Sequence, residues 1–370
     1  MTIGVLKEPA SETRVSLLPE AVSVLAKKGI TVIIETNAGA NSFAADADYE
    51  KLGGQIKSRQ EVLKSSNIIL SIHSLIPSEL IQEGAKVIIG IYQPLVNKES
   101  MQELATAGLT TFSLDMLPRT TRAQVMDVLS SQANIAGYKA VLTAANVYGR
   151  YFPMFMTAAG SIAPAKVLIL GAGVAGLQAI ATARRLGAVV EVFDTRPAVK
   201  EEVMSLGAKF IEVEGAADAS KAGGYAVEQT ADYKQKQQQR IAESIAKSDI
   251  VITTAQIPGK KAPILITEEM LATMRNGSVI IDLAAATGGN TPVTKNNETV
   301  HYNGITIVGN SSLQSTMPSD ASKLYGKNII NFLNLLIDKE GKMHLNWEDE
   351  LVKGACITND GKIVHEKLLS

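Results

Sequence analysis

Residues 166–194, which read KVLILGAGVAGLQAIATARRLGAVVEVFD, constrain the fold of this chain more than any other stretch. An apolar run from Val167 to Leu170 stops at Gly171. An alanine-rich helical pattern then runs from Val174 to Leu186, and a second apolar run covers Val189 to Phe193. Short apolar strands that alternate with helices are typical of a parallel α/β sheet. The stretch therefore predicts a strand, a tight turn, a helix and a second strand.

Three glycines and one acid give this turn the pattern of a dinucleotide-binding site. Gly171 permits the tight turn, Gly173 lets the main chain approach a pyrophosphate, and Gly176 lets the helix pack close to the strand. The first turn of the helix offers N–H groups and the positive end of its dipole to the phosphates. Asp194 follows the last glycine by 18 residues, near the roughly 20 expected for an acid that binds the ribose. The alternative is a glycine-rich turn that binds nothing.

The same pattern favours NAD(H) over NADP(H). An arginine such as Arg196 can accept the 2′-phosphate of NADP(H), but an acid at the end of the strand repels that phosphate. The residues expected to contact the cofactor in this part of the chain are Gly171, Gly173, Val174, Ala175, Gly176, Asp194, Thr195 and Arg196.

Composition excludes several classes of protein. At 370 residues the chain is long enough for about two domains, each with its own core. A net charge of −1 argues against binding to nucleic acid or to a membrane through a polybasic surface. Cys356 is the only cysteine, so we expect a reducing compartment and a buried structural thiol. No apolar run approaches the ~18 residues of a membrane span, and the histidines lack ligand-like spacing. We expect a cytoplasmic chain without a metal site.

The order of segments predicts an α/β fold with two domains, each with a mostly parallel sheet, that are joined by long helices. Residues 1–125 with 320–370 should form the first domain, because the tail has no core of its own and should return to it. Residues 126–319 should form the NAD(H)-binding domain. Thr120 to Tyr151 fits one long helix or two in line. The segments expected as strands outside residues 166–194 are Ile3–Leu6, Thr31–Glu35, Asn67–Ile72, Lys86–Tyr92, Thr110–Leu114, Lys209–Val213, Asp249–Thr254, Ser278–Asp282 and Ile305–Gly309.

One polar interval, residues 214–240, stands apart from this alternation. It contains two adjacent glycines and few apolar residues, so it predicts a mobile loop. The loop is either an inert insertion or a lid, and Tyr225 directly after Gly224 favours a lid because an aromatic ring can cover a ligand.

Several long motifs resemble the NAD(H)-binding subunit of proton-translocating nicotinamide nucleotide transhydrogenase, a family that is related to alanine dehydrogenase. The resemblance extends over essentially the whole chain. The motifs that carry it are ETRVSLLPEAV at residues 12–22, PRTTRAQVMDVLSSQANIAG at 118–137, TAAGSIAPAKVLILGAGVAGLQAIATARRLGA at 157–188, FDTRPAVKEEVMSLGAKF at 193–210, TTAQIPGKKAPILITEEM at 253–270 and SVIIDLAAATGGN at 278–290.

The resemblance implies two Rossmann-like domains with a cleft between them. It also implies a dimer that binds NADH in this cleft and transfers its hydride to NADP⁺ on a partner subunit. In that family the nicotinamide lies against the loop that corresponds here to Arg119, Gln124 and Asp127, with Ser130 near the carboxamide. Gln124 and Asp127 are three residues apart, so they should share one helix face, and the guanidinium of Arg119 can pair with Asp127. From spacing alone, an ordinary helix start with a surface ion pair would be the better interpretation of these residues. The resemblance further implies a membrane-spanning subunit that couples transfer to proton flow and holds this chain at the cytoplasmic face of the inner membrane.

The same resemblance places Gly224 and Tyr225 on the loop that closes over the nucleotide, and Ala255 and Gln256 on the adenosine side. Two departures from the family pattern are the glutamine at 256, where a hydrophobic residue is usual, and the absence of an arginine in residues 310–320.

Hydride transfer between two nicotinamides releases no proton from an oxygen or nitrogen atom, so it needs no general acid or base. Proximity and ring orientation alone can supply roughly 7–11 kcal/mol of the acceleration. The alternative is an alanine dehydrogenase, which needs groups that polarise a carbonyl and move protons. The lysine expected in that relative is absent here, and His73 stands close to its place on an apolar run, where packing is the commoner role. Arg14 is retained and suits a structural role in either family. A third possibility is an NAD sensor with no enzymatic activity.

Overall fold

The structure is a computed structural model that describes residues 1–73, 79, 86–215 and 230–369. It divides into a first unit, residues 1–132 with 315–370, and a second unit, residues 133–314. The first unit ends at residue 132, later than the expected residue 125. It resumes at residue 315, earlier than the expected residue 320. Both shifts have the same physical reason, because the side chains of Gln132 and Ser315 hydrogen-bond to Arg14 and Glu12 of the first unit.

The first unit is built on an eight-stranded sheet in the order β17-β16-β6-β5-β4-β1-β2-β3. Strands β1 to β6 pair in parallel, while β16 pairs antiparallel with β6 and β17 antiparallel with β16. The strands are β1 Thr2–Val5, β2 Thr31–Glu35, β3 Gly54–Lys57, β4 Ile68–Leu70, β5 Val87–Gly90, β6 Thr110–Ser113, β16 Cys356–Asn359 and β17 Lys362–Ile363. Strand β3 was missed by the sequence pattern, because its four residues GQIK contain one apolar side chain.

Both faces of this sheet are covered, which is why its strands are continuous apolar runs rather than alternating ones. Ile68 and Leu70 join one apolar cluster while Ile69, between them, joins another. Among the described residues, the helices of this unit are α1 Pro19–Ala26, α2 Asp46–Lys51, α3 Arg59–Ser65, α4 Lys98–Thr106, α10 Pro318–Leu336, α11 Glu350–Ala355 and α12 Glu366–Leu369. Cys356 is 1% exposed, which confirms the predicted buried thiol, and burial raises its pKa to about 12.

The second unit contains a seven-stranded sheet in the order β11-β10-β9-β12-β13-β15-β14. All neighbours pair in parallel except β14, which is antiparallel to β15. The chain moves outward from β9 to β11 and then returns to place β12 on the other side of β9. Ligands of such sheets bind at this reversal, outside the carboxyl ends of the strands. The strands are β9 Lys166–Leu170, β10 Val189–Phe193, β11 Lys209–Phe210, β12 Ile250–Thr253, β13 Val279–Asp282, β14 Thr299–Tyr302 and β15 Ile305–Val308.

Helices α6 Val174–Arg185, α7 Lys200–Ser205, α8 Ala231–Ile245 and α9 Glu268–Ala272 belong to this unit. A two-stranded hairpin, β7 Phe155–Thr157 and β8 Gly160–Ile162, is separate from the large sheet, and all six of its strand residues are exposed. Helix α5, Val128–Val147, follows a 3₁₀ helix at Thr121–Met126, with Asp127 in an extended conformation between them. The stretch that was expected to form one long helix or two in line therefore forms two helical segments, which are separated at Asp127.

The prediction of a loop over residues 214–240 is wrong for residues 231–240, which are helical. Helix α8 begins at Ala231, where the Thr230 side chain accepts a hydrogen bond from the N–H of Tyr233. Buried Tyr233, Ile241 and Ile245 anchor one face of this otherwise polar helix. Residues 216–229, which include Gly224 and Tyr225, lie outside the described residues. Within the described part of the chain, no helix combines the length and the apolar character that crossing a membrane requires.

Candidate functional site

The turn after β9 has the geometry that its glycines predicted. Gly171 has a φ of +107°, which a side chain would strain, and a Cβ placed there would lie 2.3 Å from Thr254 Oγ1. The Thr254 hydroxyl donates to the carbonyl oxygens of Leu170 and Gly171, so it ties the ends of β9 and β12 together. The N–H of Gly171 also donates to Phe193 O of β10 at 2.8 Å. The turn is thus fixed by both neighbouring strands.

The other two glycines have different roles in the same turn. A Cβ on Gly176 would lie 1.9 Å from the carbonyl oxygen of Gly171, so α6 approaches the turn too closely for any side chain. A Cβ on Gly173 would meet no atom of the described residues within 4 Å. Gly173 is the N-cap residue of α6, with Val174 and Ala175 next in the helix. The space above Gly173 is therefore available to a phosphate group that approaches the helix N-terminus.

Gly137 on α5 packs against the first turn of α6, and it was not singled out from the sequence. A Cβ on Gly137 would lie 2.1 Å from the carbonyl oxygen of Ala175. The close approach of α5 to α6 therefore requires glycine at this position. The signal was present in the sequence as a glycine inside a helical pattern, which often marks a packing requirement.

Asp194, at the carboxyl end of β10, is 8% exposed. It accepts a hydrogen bond from the N–H of Ala172 in the glycine turn at 2.7 Å, so it lies beside the first residues of the motif, as its spacing predicted. Its carboxylate is also paired with Arg196, while Thr195 between them is partly exposed. Burial raises the pKa of Tyr233 at the start of α8, and the charge of Asp194 raises it further.

The loops that follow β12 and β13 are joined by a second set of hydrogen bonds. Gln256 Nε2 donates to Leu283 O at 2.7 Å, and Asn290 Nδ2 donates to Ala255 O at 2.9 Å. Asp282, fully buried at the end of β13, accepts from the N–H of Asn290 at 2.7 Å. Gln256, at a position where the family pattern usually has a hydrophobic residue, thus hydrogen-bonds the loop after β12 to the loop after β13. Asp282 and Asn290 were missed as organising residues, although an acid at a strand end in VIIDLAAATGGN was a visible signal.

In the first unit, Arg119 and Gln124 are exposed, while Asp127 and Ser130 are partly buried. Asp127 accepts hydrogen bonds from the N–H of Ser130 at 2.9 Å and from its hydroxyl at 2.6 Å. Asp127 therefore caps the first turn of α5. Because Gln124 lies in the 3₁₀ helix and Asp127 outside it, the expectation that the two share one helix face was wrong. Pairing of Arg119 with Asp127 stays a prediction.

A buried ionic cluster lies on the carboxyl side of β1. Glu12, 4% exposed, accepts two parallel bonds from the guanidinium of Arg14, 5% exposed, at 2.8 and 2.6 Å. Gln132 accepts from Arg14 Nη1 at 2.8 Å, and Ser315 donates to Glu12 at 2.9 Å. These contacts support the structural interpretation of Arg14.

His73 is half exposed and lies 2.9 Å from Glu12 through its Nε2, so it is not the buried packing residue that its apolar surroundings predicted. Burial alone would raise the pKa of Glu12, but hydrogen bonds from Arg14 and His73 outweigh burial and hold that pKa far below its ordinary value.

The pKa of Glu8 is shifted in the opposite direction to that of Glu12. Burial raises its pKa from 4.5 to about 6, against hydrogen bonds from the N–H groups of Ile72 and His73. The stability that Glu8 contributes is therefore complete below its unfolded pKa and is lost as the pH rises through about 6. The contribution of Glu12 is complete above its unfolded pKa and is lost as the pH falls. In the described part of the chain, no group of three or more His, Cys, Asp or Glu side chains is arranged to hold a metal ion.

Two protein-family models match this chain: alanine dehydrogenase/PNT, N-terminal domain, over residues 4–136, and alanine dehydrogenase/PNT, C-terminal domain, over residues 140–366. The chain belongs to the alanine dehydrogenase/PNT family. Within it, the first part of NAD(P) transhydrogenase subunit alpha from Rickettsia prowazekii is 45% identical, over 99% of this chain and 96% of the relative. The protein of the same name from Rhodospirillum rubrum is 44% identical, over 100% and 99%.

The other branch of the family is more distant. Alanine dehydrogenase 2 of Staphylococcus aureus is 28% identical, over 78% of this chain and 73% of the relative. Among solved structures, a transhydrogenase from Sinorhizobium meliloti superimposes with a TM-score of 0.90 at 45% identity, over 98% of this chain and all of the other. The comparisons thus favour the transhydrogenase branch over the alanine dehydrogenase branch.

Proposed function

We propose that this chain is the NAD(H)-binding subunit of a proton-translocating transhydrogenase, which transfers a hydride from NADH to NADP⁺ on a partner subunit. The observation that supports it most is the 45% identity to a transhydrogenase alpha subunit over nearly the full length of both chains. The nucleotide site agrees with that similarity. The open space above Gly173, the close approach at Gly176 and the acid at position 194 fit a dinucleotide.

The chain's own residues suit a reaction without acid–base catalysis. Bound NADH supplies the hydride. The turn at Gly171–Gly176 would hold the pyrophosphate, and Asp194 would hold the adenosine ribose. Arg119, Gln124 and Asp127 would orient the nicotinamide through hydrogen bonds to its carboxamide, with Ser130 beside them. Such positioning accelerates a reaction between two bound reactants without any proton transfer by the protein.

The partners belong to the same proposal. The relatives are named as one portion of a transhydrogenase alpha subunit, which supports the existence of further chains. We propose that these are an NADP(H)-binding chain and a membrane-spanning chain. The membrane-spanning chain would couple transfer to proton flow and hold this subunit at the cytoplasmic face of the inner membrane. The enzyme would then be active only when the subunits are combined.

Mixing the purified chain with the NADP(H)-binding subunit tests this function. Oxidation of NADH should appear on mixing and should depend on NADP⁺ or an analogue of it. An alanine dehydrogenase would instead oxidise NADH with pyruvate and ammonium and without a partner. Binding of NADH with neither activity would indicate a sensor. Either of these last two outcomes would contradict the proposal.

Replacing Arg119 or Asp127 with alanine should slow hydride transfer at least tenfold, while the Kd for NADH rises less than about threefold, because orientation matters more to the reaction than to binding. Stopped-flow transfer rates and equilibrium titration with NADH measure the two effects separately. Arg122→Ala is the matched control for Arg119→Ala, since exposed Arg122 pairs with Asp349 and the change in charge is the same. Equal losses of rate and affinity would count against an orienting role.

We propose a homodimer in which the hairpin β7–β8 contacts a second copy of the chain. Residues 151–165 contain no Asp, Glu, Lys or Arg, so two copies of this surface meet without charge repulsion. Its exposed apolar side chains present on the order of 500 Å², most of the ~800 Å² that each partner buries in a stable interface. They are Tyr151, Met154, Phe155, Met156 and Ile162.

Met156→Lys should convert a dimer to monomers, because a twofold interface brings the new charges close together. Sedimentation velocity measures the change, and Met204→Lys, at another exposed methionine of the second unit, is the control. A wild-type monomer, or a Met156→Lys variant that remains a dimer, would refute the hairpin contact.

A further inference from the structure

Two asparagines of α10 hold one carbonyl group of the 3₁₀ helix at Thr121–Met126, which carries Gln124. Asn328 Nδ2 donates to Val125 O at 2.9 Å, and Asn331 Nδ2 donates to the same oxygen at 3.0 Å. The two asparagines are three residues apart, so they lie on one face of α10. A carbonyl oxygen has two lone pairs, and these two amides fill both. One long helix therefore fixes Val125 O from two points.

Asn328 also binds the segment on the other side of Asp127. Its Oδ1 accepts the hydroxyl of Ser131, in the first turn of α5, at 2.8 Å. The orientation of the amide is settled by chemistry, because Val125 O can only accept and so requires the NH₂ group. Asn328 is 7% exposed, so water competes little for either bond. A single buried side chain thus bridges the two helical segments that Asp127 separates.

Helices α5 and α10 are joined at a further point, so the bridge ties the 3₁₀ helix to a fixed frame. Gln132, the next residue of α5, donates to Ala321 O of α10 at 3.1 Å. The 3₁₀ helix itself is anchored by two buried side chains, Ala123 and Met126. Such apolar contacts are not directional, so they hold the segment against the core without fixing its rotation. The hydrogen bonds to Val125 O supply that direction.

We propose that Asn328 and Asn331 are positioning residues for hydride transfer. They hold the main chain that presents Gln124 and Asp127 to the nicotinamide. The inference rests on the proposed function, in which Gln124 and Asp127 orient that ring. A displacement of about 1 Å in an orienting group can cost on the order of a hundredfold in rate. Loss of both amides should therefore slow hydride transfer far more than it weakens the binding of NADH.

Stopped-flow rates of transfer to the NADP(H)-binding subunit, together with titration of the full chain with NADH, test this role in alanine variants. Asn328→Ala should slow transfer about fivefold and Asn331→Ala about threefold, because each leaves the other amide on Val125 O. The double variant should be slowed at least fiftyfold, more than the two single losses multiplied, since the carbonyl then has neither donor. In all three variants the Kd for NADH should stay within about threefold of the wild type.

Ser322→Ala is the matched control for a general loss of stability. Ser322 is a fully buried polar residue of the same helix, and its hydroxyl accepts the N–H of Val15, outside the 3₁₀ helix, at 2.9 Å. This variant should lower the melting temperature while transfer stays within about twofold of the wild type. If Ser322→Ala slows transfer as much as the double variant does, destabilisation of α10 explains the loss and the positioning role is refuted.

Two other results would contradict the role of the asparagines. One is a double variant that transfers hydride within about threefold of the wild-type rate, and the other is a Kd for NADH that rises as steeply as the rate falls. Should the double variant not fold, the single variants decide, and wild-type rates in both would refute the role. A wild-type chain that transfers no hydride to NADP⁺ on mixing would refute the proposed function itself, and that result is obtained without any variant.

Discussion

Replacing Gly173 with alanine is expected to weaken NADH binding at least tenfold while the melting temperature stays within about 3 °C of the wild type. Within the part of the chain that the structure describes, the added methyl group meets no atom within 4 Å, so this part of the fold accommodates it. It would, however, fill the space that a pyrophosphate needs against the first turn of α6. Titration with NADH and thermal unfolding followed by circular dichroism measure the two effects.

Gly176→Ala, three residues further along, should instead destabilise the folded chain. Its methyl group would lie 1.9 Å from the carbonyl oxygen of Gly171, so the helix must move away from the turn. The expected loss of unfolding free energy is on the order of 3 kcal/mol, the upper end for overpacking. Gly149→Ala is the control for both, because its methyl group would meet no described residue within 4 Å and Gly149 has no role in the motif. If Gly173→Ala binds NADH normally, no phosphate lies over this turn.

Glu12→Ala should lower the unfolding free energy of the first unit by about 3–5 kcal/mol, because it leaves the guanidinium of Arg14 buried without its carboxylate. Combining Glu12→Leu with Arg14→Met should lower it less, since no buried charge remains. The only tryptophan, Trp347, belongs to the first unit and stacks on Phe112 at a centroid distance of 6.4 Å. Its fluorescence in urea therefore follows the unit that contains the cluster.

An exposed ion pair provides the comparison for this prediction. Lys57→Ala removes the partner of Glu61 from a pair in which both side chains are about half exposed. Exposed pairs of this kind contribute little to stability, so the midpoint in urea should barely move. If Glu12→Ala behaved like Lys57→Ala, solvent would have to reach Arg14, contrary to its burial.

Prediction from the sequence was most accurate where a single local segment determines the structure. The turn at Gly171–Gly176 and the acid at 194 follow from steric and electrostatic rules that act within 30 residues, and the structure places them together. Strand β14 and hairpin β7–β8 were missed because an edge strand and an exposed hairpin lack the apolar runs that mark central strands. Helix α8 was mistaken for a loop because most of its face is polar, although its buried residues are spaced as a helix requires.

The ionic contacts could not be predicted in the same way. Arg14, Gln132 and Ser315 are far apart in sequence, and only the folded sheet brings them to Glu12. The pairing of Asp194 with Arg196 depends on a bend of the main chain after β10 that two residues of sequence do not specify. Spacing predicted that Asp194 binds the ribose but did not indicate that its carboxylate would pair with Arg196.

The buried thiol of the first unit has a practical consequence. Cys356 is the sole cysteine, starts an antiparallel strand inside the sheet and has a pKa of about 12, so alkylating reagents and oxidants should leave it untouched in the folded chain. Modification of that sulfur requires the tail to detach from the sheet. The rate at which a thiol reagent modifies Cys356 at neutral pH would therefore report how often this region opens spontaneously, without any introduced label.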